Sequence, residues 1–178
     1  MKKDYVMGNS AIALGALSAG VKVVCGYPGT PSTEIIETIF RVSHDNVHLE
    51  WSVNEKVAME VATSAAYSGA RSLVTMKQVG LNVASDPLMS LAYVGVKGGM
   101  VIVVADDPGP ISSQTEQDTR AFANFCRIPV FDPASPEQAF QMVQDAFLYS
   151  EKYHTPVILR PTTRVCHAYA SIEFNENY

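Results

Sequence analysis

Gly98-Gly99-Met100-Val101-Ile102-Val103-Val104-Ala105-Asp106-Asp107-Pro108-Gly109 is the stretch on which the fold turns. The apolar run from Met100 to Ala105 is too short for a typical helix and shows no alternation with polar residues. It therefore reads as a strand covered on both faces, the signature of a parallel sheet between helical layers. Similar short runs recur on either side: Val21 to Cys25, Val47 to Trp51, Leu73 to Met76, Pro129 to Phe131 and Pro156 to Arg160. Between them lie helical patterns. One is capped by Asn9 or Ser10 and ends before Gly20, and a second runs from Glu34 to Arg41, started by Ser32 or Thr33. Others run from an Asn54 cap to Tyr67, from about Val79 to Tyr93, from the polar stretch Ser112 to Asp118 to near Phe125, and from Pro136 to about Tyr149. No Asn-Gly or Asp-Gly hairpin turn is present. The expected fold is α/β: a three-layer domain over residues 1–178 with a central, mostly parallel six-stranded sheet. Strand order is not readable, and Glu173 to Tyr178 is expected to fray.

Hydrophobic residues make up 47% of the 178 and charged residues 17%, against about 25% in an average domain. So sparsely charged a surface implies contact with another protein, and a homo-oligomer is expected. The net charge of -5 leaves no basic stripe for nucleic acid. Lys2 and Lys3 are followed by Asp4 and then a polar Gly8-Asn9-Ser10, not by the apolar core of a signal peptide. No run reaches the length of a membrane span. Cys25, Cys126 and Cys166 lack disulfide, CxxC or cluster spacing and read as buried free thiols, which points to a cytoplasmic chain.

In such sheets ligands bind beyond the carboxyl ends of the strands, which singles out the loops Gly26 to Pro31, Lys77 to Gly80 and Asp106 to Gly109. The first matches no nucleotide fingerprint and is either a rigid turn or a ligand contact. Asp106-Asp107 suggests Mg²⁺ or, with no third acidic group at ligand spacing, a solvated loop or helix cap. His44, His48, His154 and His167 are scattered, without a metal or triad pattern. Glu55 differs, because its helix carries Val57, Ala58, Met59, Val61, Ala62, Ala65 and Ala66 and so has little polar face. It is either a buried functional carboxylate or an N-terminal charge favoured by the helix dipole, with Glu60 or Lys56 as alternative solvent-facing members.

Five blocks carry a resemblance to the thiamine-diphosphate-dependent 2-oxoacid:ferredoxin oxidoreductases. They are Gly26-Tyr27-Pro28-Gly29-Thr30-Pro31-Ser32, Glu50 to Ala58, Thr75 to Asn82, Val103 to Gly109, and Leu159 to Arg164. Within that family the chain resembles the N-terminal pyrimidine-binding domain of the indolepyruvate-type alpha subunit. The resemblance implies the thiamine-diphosphate-binding (pyrimidine domain) fold. It also implies that Glu55 is the catalytic glutamate bonding the aminopyrimidine ring, and that Gly29, Thr30, Gln78, Val79 and Gly80 line the cofactor and substrate side. The implied reaction is oxidative decarboxylation of a 2-oxoacid to acyl-CoA, with electrons passed to ferredoxin. Neither a diphosphate-binding G-D-G motif nor cluster-spaced cysteines is present. Mg²⁺ and [4Fe–4S] clusters are therefore expected on other domains or partner chains, among them a diphosphate-binding domain or subunit and a beta subunit. Alone the chain is expected to be inactive, as an excised domain or a stand-alone subunit. The competing readings are a non-catalytic assembly module and a 2-oxoacid decarboxylase domain, including the phosphonopyruvate type.

Overall fold

The computed structural model describes residues 2–43 and 46–175, which leaves Met1, His44, Asp45 and 176–178 outside the described residues. In chain order the elements are β1 (Lys2–Met7), α1 (Gly8–Ser18), β2 (Val23–Gly26), α2 (Thr33–Val42), β3 (His48–Trp51), α3 (Glu55–Tyr67), β4 (Ser72–Lys77) and α4 (Gln78–Val83). They continue with α5 (Ser85–Val94), β5 (Met100–Ala105), α6 (Thr119–Cys126), β6 (Val130–Phe131), α7 (Pro136–Tyr153), β7 (Val157–Leu159), α8 (Thr163–His167) and β8 (Tyr169–Phe174).

Six of the strands form one sheet in the order β3-β2-β4-β5-β7-β6, and every neighbouring pair is parallel. The uninterrupted apolarity of β5 has its expected cause. Val101 and Val103 enter one core with α1, α2 and α7, while Ile102 and Val104 enter the other with α3, α5 and α6. Each such side chain, buried in full, contributes about 1.5–3 kcal/mol. This is the predicted three-layer α/β arrangement.

Several local expectations are corrected. Neither Asn9 nor Ser10 caps α1; Met7 occupies that position, and Asn9 is buried inside the first turn. The helix expected from Val79 to Tyr93 is two helices that meet at Ala84. Pro87 explains the break, since it has no N–H to donate to Val83 and fits only the first turn of a new helix. The last strand was unforeseen: Glu173 and Phe174 are not frayed but belong to β8, which pairs antiparallel with β1 from Lys2↔Phe174 to Met7↔Tyr169. Ala170, Ile172 and Phe174 point inward on that strand, and Ile172 and Phe174 pack on Ala11 and Leu14 of α1. Among the described residues no helix is long and apolar enough to cross a membrane. Large apolar side chains remain exposed on the helical faces, including Phe40, Tyr93, Val94 and Phe125.

Candidate functional site

Because the six strands run parallel, β2, β3, β4 and β5 all deliver their carboxyl ends to one rim, at Gly26, Trp51, Lys77 and Ala105. The three loops singled out from the sequence therefore converge. So does the start of α3, which follows β3 after only three residues, with Asn54 Oδ1 accepting from the Val57 N–H at 2.9 Å.

That capped start fixes which face of α3 turns inward. Glu55, Ala58, Met59, Ala62 and Ala66 form its buried stripe, while Glu60 is exposed and Lys56 pairs outward with Asp86 at 2.7 Å. The open choice between Glu55 and its neighbours is thus decided by helical phase. Glu55 is 8% exposed, and its carboxylate makes no hydrogen bond or ion pair among the described residues. Its close neighbour is Gly80, where an added Cβ would lie 2.6 Å from Oε1 and 3.0 Å from Cδ of Glu55. A glycine in α4 thus keeps room for a carboxylate presented by α3. Glu55 is buried as a residue, but its two oxygens keep some solvent contact and have no protein donor, so the arrangement suits a ligand that brings its own donor.

The Gly26 to Pro31 loop is held from two sides. The Gly29 N–H donates to Thr33 Oγ1 at 2.9 Å, and the Ser32 hydroxyl donates to the Gly29 carbonyl at 3.0 Å. From α1, Asn9 Nδ2 donates to the Pro31 carbonyl at 2.6 Å and to Glu34 Oε2 at 2.8 Å. Gly29 is half-buried, Thr30 is exposed, and the Thr30–Pro31 peptide is cis. Asn9 was read only as a cap; its part in bracing this loop spans a sequence separation that no local pattern reveals.

Gln78 is completely buried and ties the polar stretch 112–118 to the end of β4. Its Nε2 donates to the Thr115 carbonyl at 2.8 Å, and its own carbonyl accepts from Gln117 Nε2 at 3.2 Å. Val79 is half-buried beside it. Thus Glu55 and Gly80 touch, Gln78 and Val79 open the same helix α4, and Gly29 packs on Lys77, the residue before it. Thr30 shares the rim but makes none of these contacts.

Asp106 and Asp107 are not a solvated loop; both are wholly buried. Asp106 braces the start of α6, whose N-cap is Asp118, by accepting from the Thr119 N–H at 2.9 Å and from the Thr119 hydroxyl, and it pairs with Arg160 Nε at 2.7 Å. Asp107 accepts from the N–H groups of Ile111, Ser112 and Ser113 at 2.8–2.9 Å and from the Thr163 hydroxyl at 2.7 Å. Burial opposes its charge, but the Ser112 N–H, the Thr163 hydroxyl and the other two N–H groups outweigh burial and hold the carboxyl down at about 2. These oxygens are committed to shaping the loop.

All three cysteines are free and buried. Burial, and then the charge of Glu50, push the Cys25 thiol up to about 12, which removes it as a nucleophile. His48 lies 3.6 Å from Glu50, His154 ends α7 in a left-handed turn and His167 is exposed. Among the described residues no group of three His, Cys, Asp or Glu is placed to hold a metal ion.

The sequence profile of a family described as pyruvate flavodoxin/ferredoxin oxidoreductase, thiamine diphosphate-binding, matches residues 14–178. Indolepyruvate oxidoreductase subunit IorA of Pyrococcus abyssi is 52% identical over 176 residues, which cover 98% of this chain and 27% of that protein. The same subunit of Methanothermobacter marburgensis is 47% identical over 173 residues, covering 97% and 28%. 2-Oxoglutarate synthase subunit KorA of Methanocaldococcus jannaschii is 26% identical over 189 residues, covering 99% and 50%. The chain spans about a quarter of the length of the IorA relatives. In fold it is similar to a solved 2-oxoglutarate:ferredoxin oxidoreductase from Magnetococcus marinus, with a TM-score of 0.84 at 21% identity over 97% of this chain and 32% of that one.

Proposed function

Because the chain belongs to the pyruvate flavodoxin/ferredoxin oxidoreductase family, in its thiamine diphosphate-binding part, we propose that residues 1–178 form the pyrimidine-binding half of a 2-oxoacid:ferredoxin oxidoreductase. Indolepyruvate or another aryl-2-oxoacid is the substrate, and the reaction is oxidative decarboxylation to the acyl-CoA. The IorA relatives, at about half identity along nearly all of this chain, support that substrate class.

The observation that carries the reading is the unpartnered carboxylate of Glu55, at the accessible end of an otherwise buried side chain, beside the bare Cα of Gly80. The residues fit the aminopyrimidine: Glu55 would hold a proton between its carboxylate and a ring nitrogen. Gly80, Gln78, Val79, Gly29 and Thr30 would bound the space around the ring and the substrate. When bound, thiamine diphosphate supplies the nucleophilic carbon and the electron sink for decarboxylation. The role of α3 is to fix the Glu55 stem in the core with its oxygens reachable, so that the bound ring would displace the remaining water and share the proton. Mg²⁺ and the diphosphate belong to a second domain or subunit. The [4Fe–4S] clusters, beta subunit, ferredoxin and coenzyme A complete the working assembly, and the isolated chain is inactive.

The test is Glu55→Gln in the assembled oxidoreductase. The amide keeps the shape but cannot take up the proton, so turnover falls by about 100-fold or more while far-UV circular dichroism and assembly mass stay unchanged. Wild-type turnover in that variant overturns the assignment. A higher kcat/KM for 2-oxoglutarate than for indolepyruvate overturns the substrate class while leaving the cofactor reading in place.

A further inference from the structure

Lys77 is the last residue of β4 and stands where the converging loops meet. Its stem lies against Gly29, where an added Cβ would be 3.2 Å from Cδ and 3.5 Å from Cε. Its Nζ donates to Gln114 Oε1 at 3.1 Å. Three residues further on, Gly80 lies against the Glu55 carboxylate. Among the described residues no carboxylate pairs with this ammonium; Gln114 is a neutral amide on the exposed part of the 112–118 stretch. Contrast Arg160, whose charge is matched by Asp106 and Asp132. A half-buried cation held by an amide is under-compensated, and an arriving anion gains a charge-assisted bond at little ordering cost because the lysine stem is already packed.

Resting on the thiamine reading above, we infer that Lys77 binds the carboxylate of the 2-oxoacid substrate and thereby sets the preference for acids over neutral carbonyl compounds. The placement follows from the cofactor's own connectivity. If the aminopyrimidine is held at Glu55, the reacting carbon lies at that end of the cofactor and the diphosphate at the other. The anion nearest the Glu55 rim is then the carboxylate attached to the keto carbon. The apolar stem of Lys77, packed on Gly29, holds a single positive charge at the rim beside Gln114.

The experiment uses the assembled holoenzyme. Inhibition constants are measured for the 2-hydroxy acid corresponding to the best 2-oxoacid substrate and for its carboxamide, in wild type, Lys77→Met and Lys77→Arg. Lys77→Met keeps the stem and removes the charge. The acid should bind about 10- to 100-fold more weakly in that variant, with the carboxamide unchanged and the acid restored to near wild-type affinity by Lys77→Arg. Thiamine diphosphate affinity, read by calorimetry, and the KM for coenzyme A should not move. An equal loss for acid and carboxamide overturns the inference. So does a loss that appears instead in thiamine diphosphate or coenzyme A, because the anion would then be a phosphate. If Lys77→Met does not assemble, Lys77→Gln, which also removes the charge but keeps a polar tip, must weaken the acid and spare the carboxamide. Failure of the thiamine reading would appear separately, as retained turnover in Glu55→Gln whatever Lys77 does.

Discussion

Two sets of buried carboxylates lie at the carboxyl rim of one sheet and have opposite surroundings. Asp106 and Asp107 are saturated: the first N–H of α6, a buried arginine, three consecutive backbone N–H groups and three hydroxyls converge on them. Glu55 has a glycine beside it and no donor among the described residues. Burial alone does not separate them, since all three are at or below 8% exposure. What separates them is satisfaction. A buried acid with all its lone pairs engaged is part of the architecture, whereas one left unengaged holds its free energy in reserve for something that binds.

Substitution should expose that difference as a graded loss of stability. The largest effect belongs to Asp106→Ala, which takes from the buried Arg160 its nearer partner, leaving only Asp132 at 3.3 Å, and leaves the Thr119 N–H and hydroxyl without an acceptor. It should cost about 3–5 kcal/mol in a urea titration. A loss below about 1 kcal/mol would break the distinction at its strongest point.

Asp107→Asn comes next, at about 1–3 kcal/mol near neutral pH. The folded carboxyl sits at about 2, below the roughly 3.9 of an unfolded aspartate, so its contribution is complete above pH ~4. It disappears as the pH falls through the folded value. Urea midpoints of wild type and Asp107→Asn should therefore converge between about pH 4 and pH 2. Convergence on raising the pH instead would reverse the sign of the argument.

Gly80→Ala should cost about 1–2 kcal/mol, because the added methyl meets Glu55 Cγ at 2.8 Å as well as Oε1, and the helix-propensity gain of alanine offsets only part of that crowding. In the assembled enzyme the same methyl pushes Glu55 off its position, and thiamine-dependent turnover should drop by about 10- to 100-fold. Glu55→Gln should be the most benign of all to the fold, within about 0.5 kcal/mol, while being the most damaging to turnover. If Gly80→Ala leaves turnover intact, the contact between α3 and α4 has no bearing on function.

The central sheet was legible because a parallel strand covered on both sides announces itself as an unbroken apolar run, and Met100 to Ala105 does so without ambiguity. Glu55 was legible as a candidate because an alanine-rich helix leaves few polar positions to choose among, and the Asn54 cap sets the phase. What escaped notice depends on distance or on single residues. The alternation Ala170, Ile172, Phe174 was a readable strand signal, yet its partner, Lys2 to Met7, lies more than 160 residues earlier and begins with charges. Pro87 marked a helix boundary that the continuing apolar pattern masked. Asn9, Lys77 and Arg160 carry no local signature; each matters through a residue 22 to 54 positions away. Asp106-Asp107 read as a solvated loop or a helix cap, with Mg²⁺ as the other option, because the donors that saturate it come from Thr119, Thr163 and the intervening loop.

The β1–β8 ladder also has a mechanical meaning. Lys2 faces Phe174 at one extremity, with the further pairs lying in sequence behind it. A pull applied through those two residues loads one rung at a time, as in opening a zipper, and does not shear all the rungs together. The ladder should therefore part at low force, before the six-stranded sheet feels the load, so tension transmitted from neighbouring parts of a larger assembly would peel this flap while leaving the rim around Glu55 unstrained.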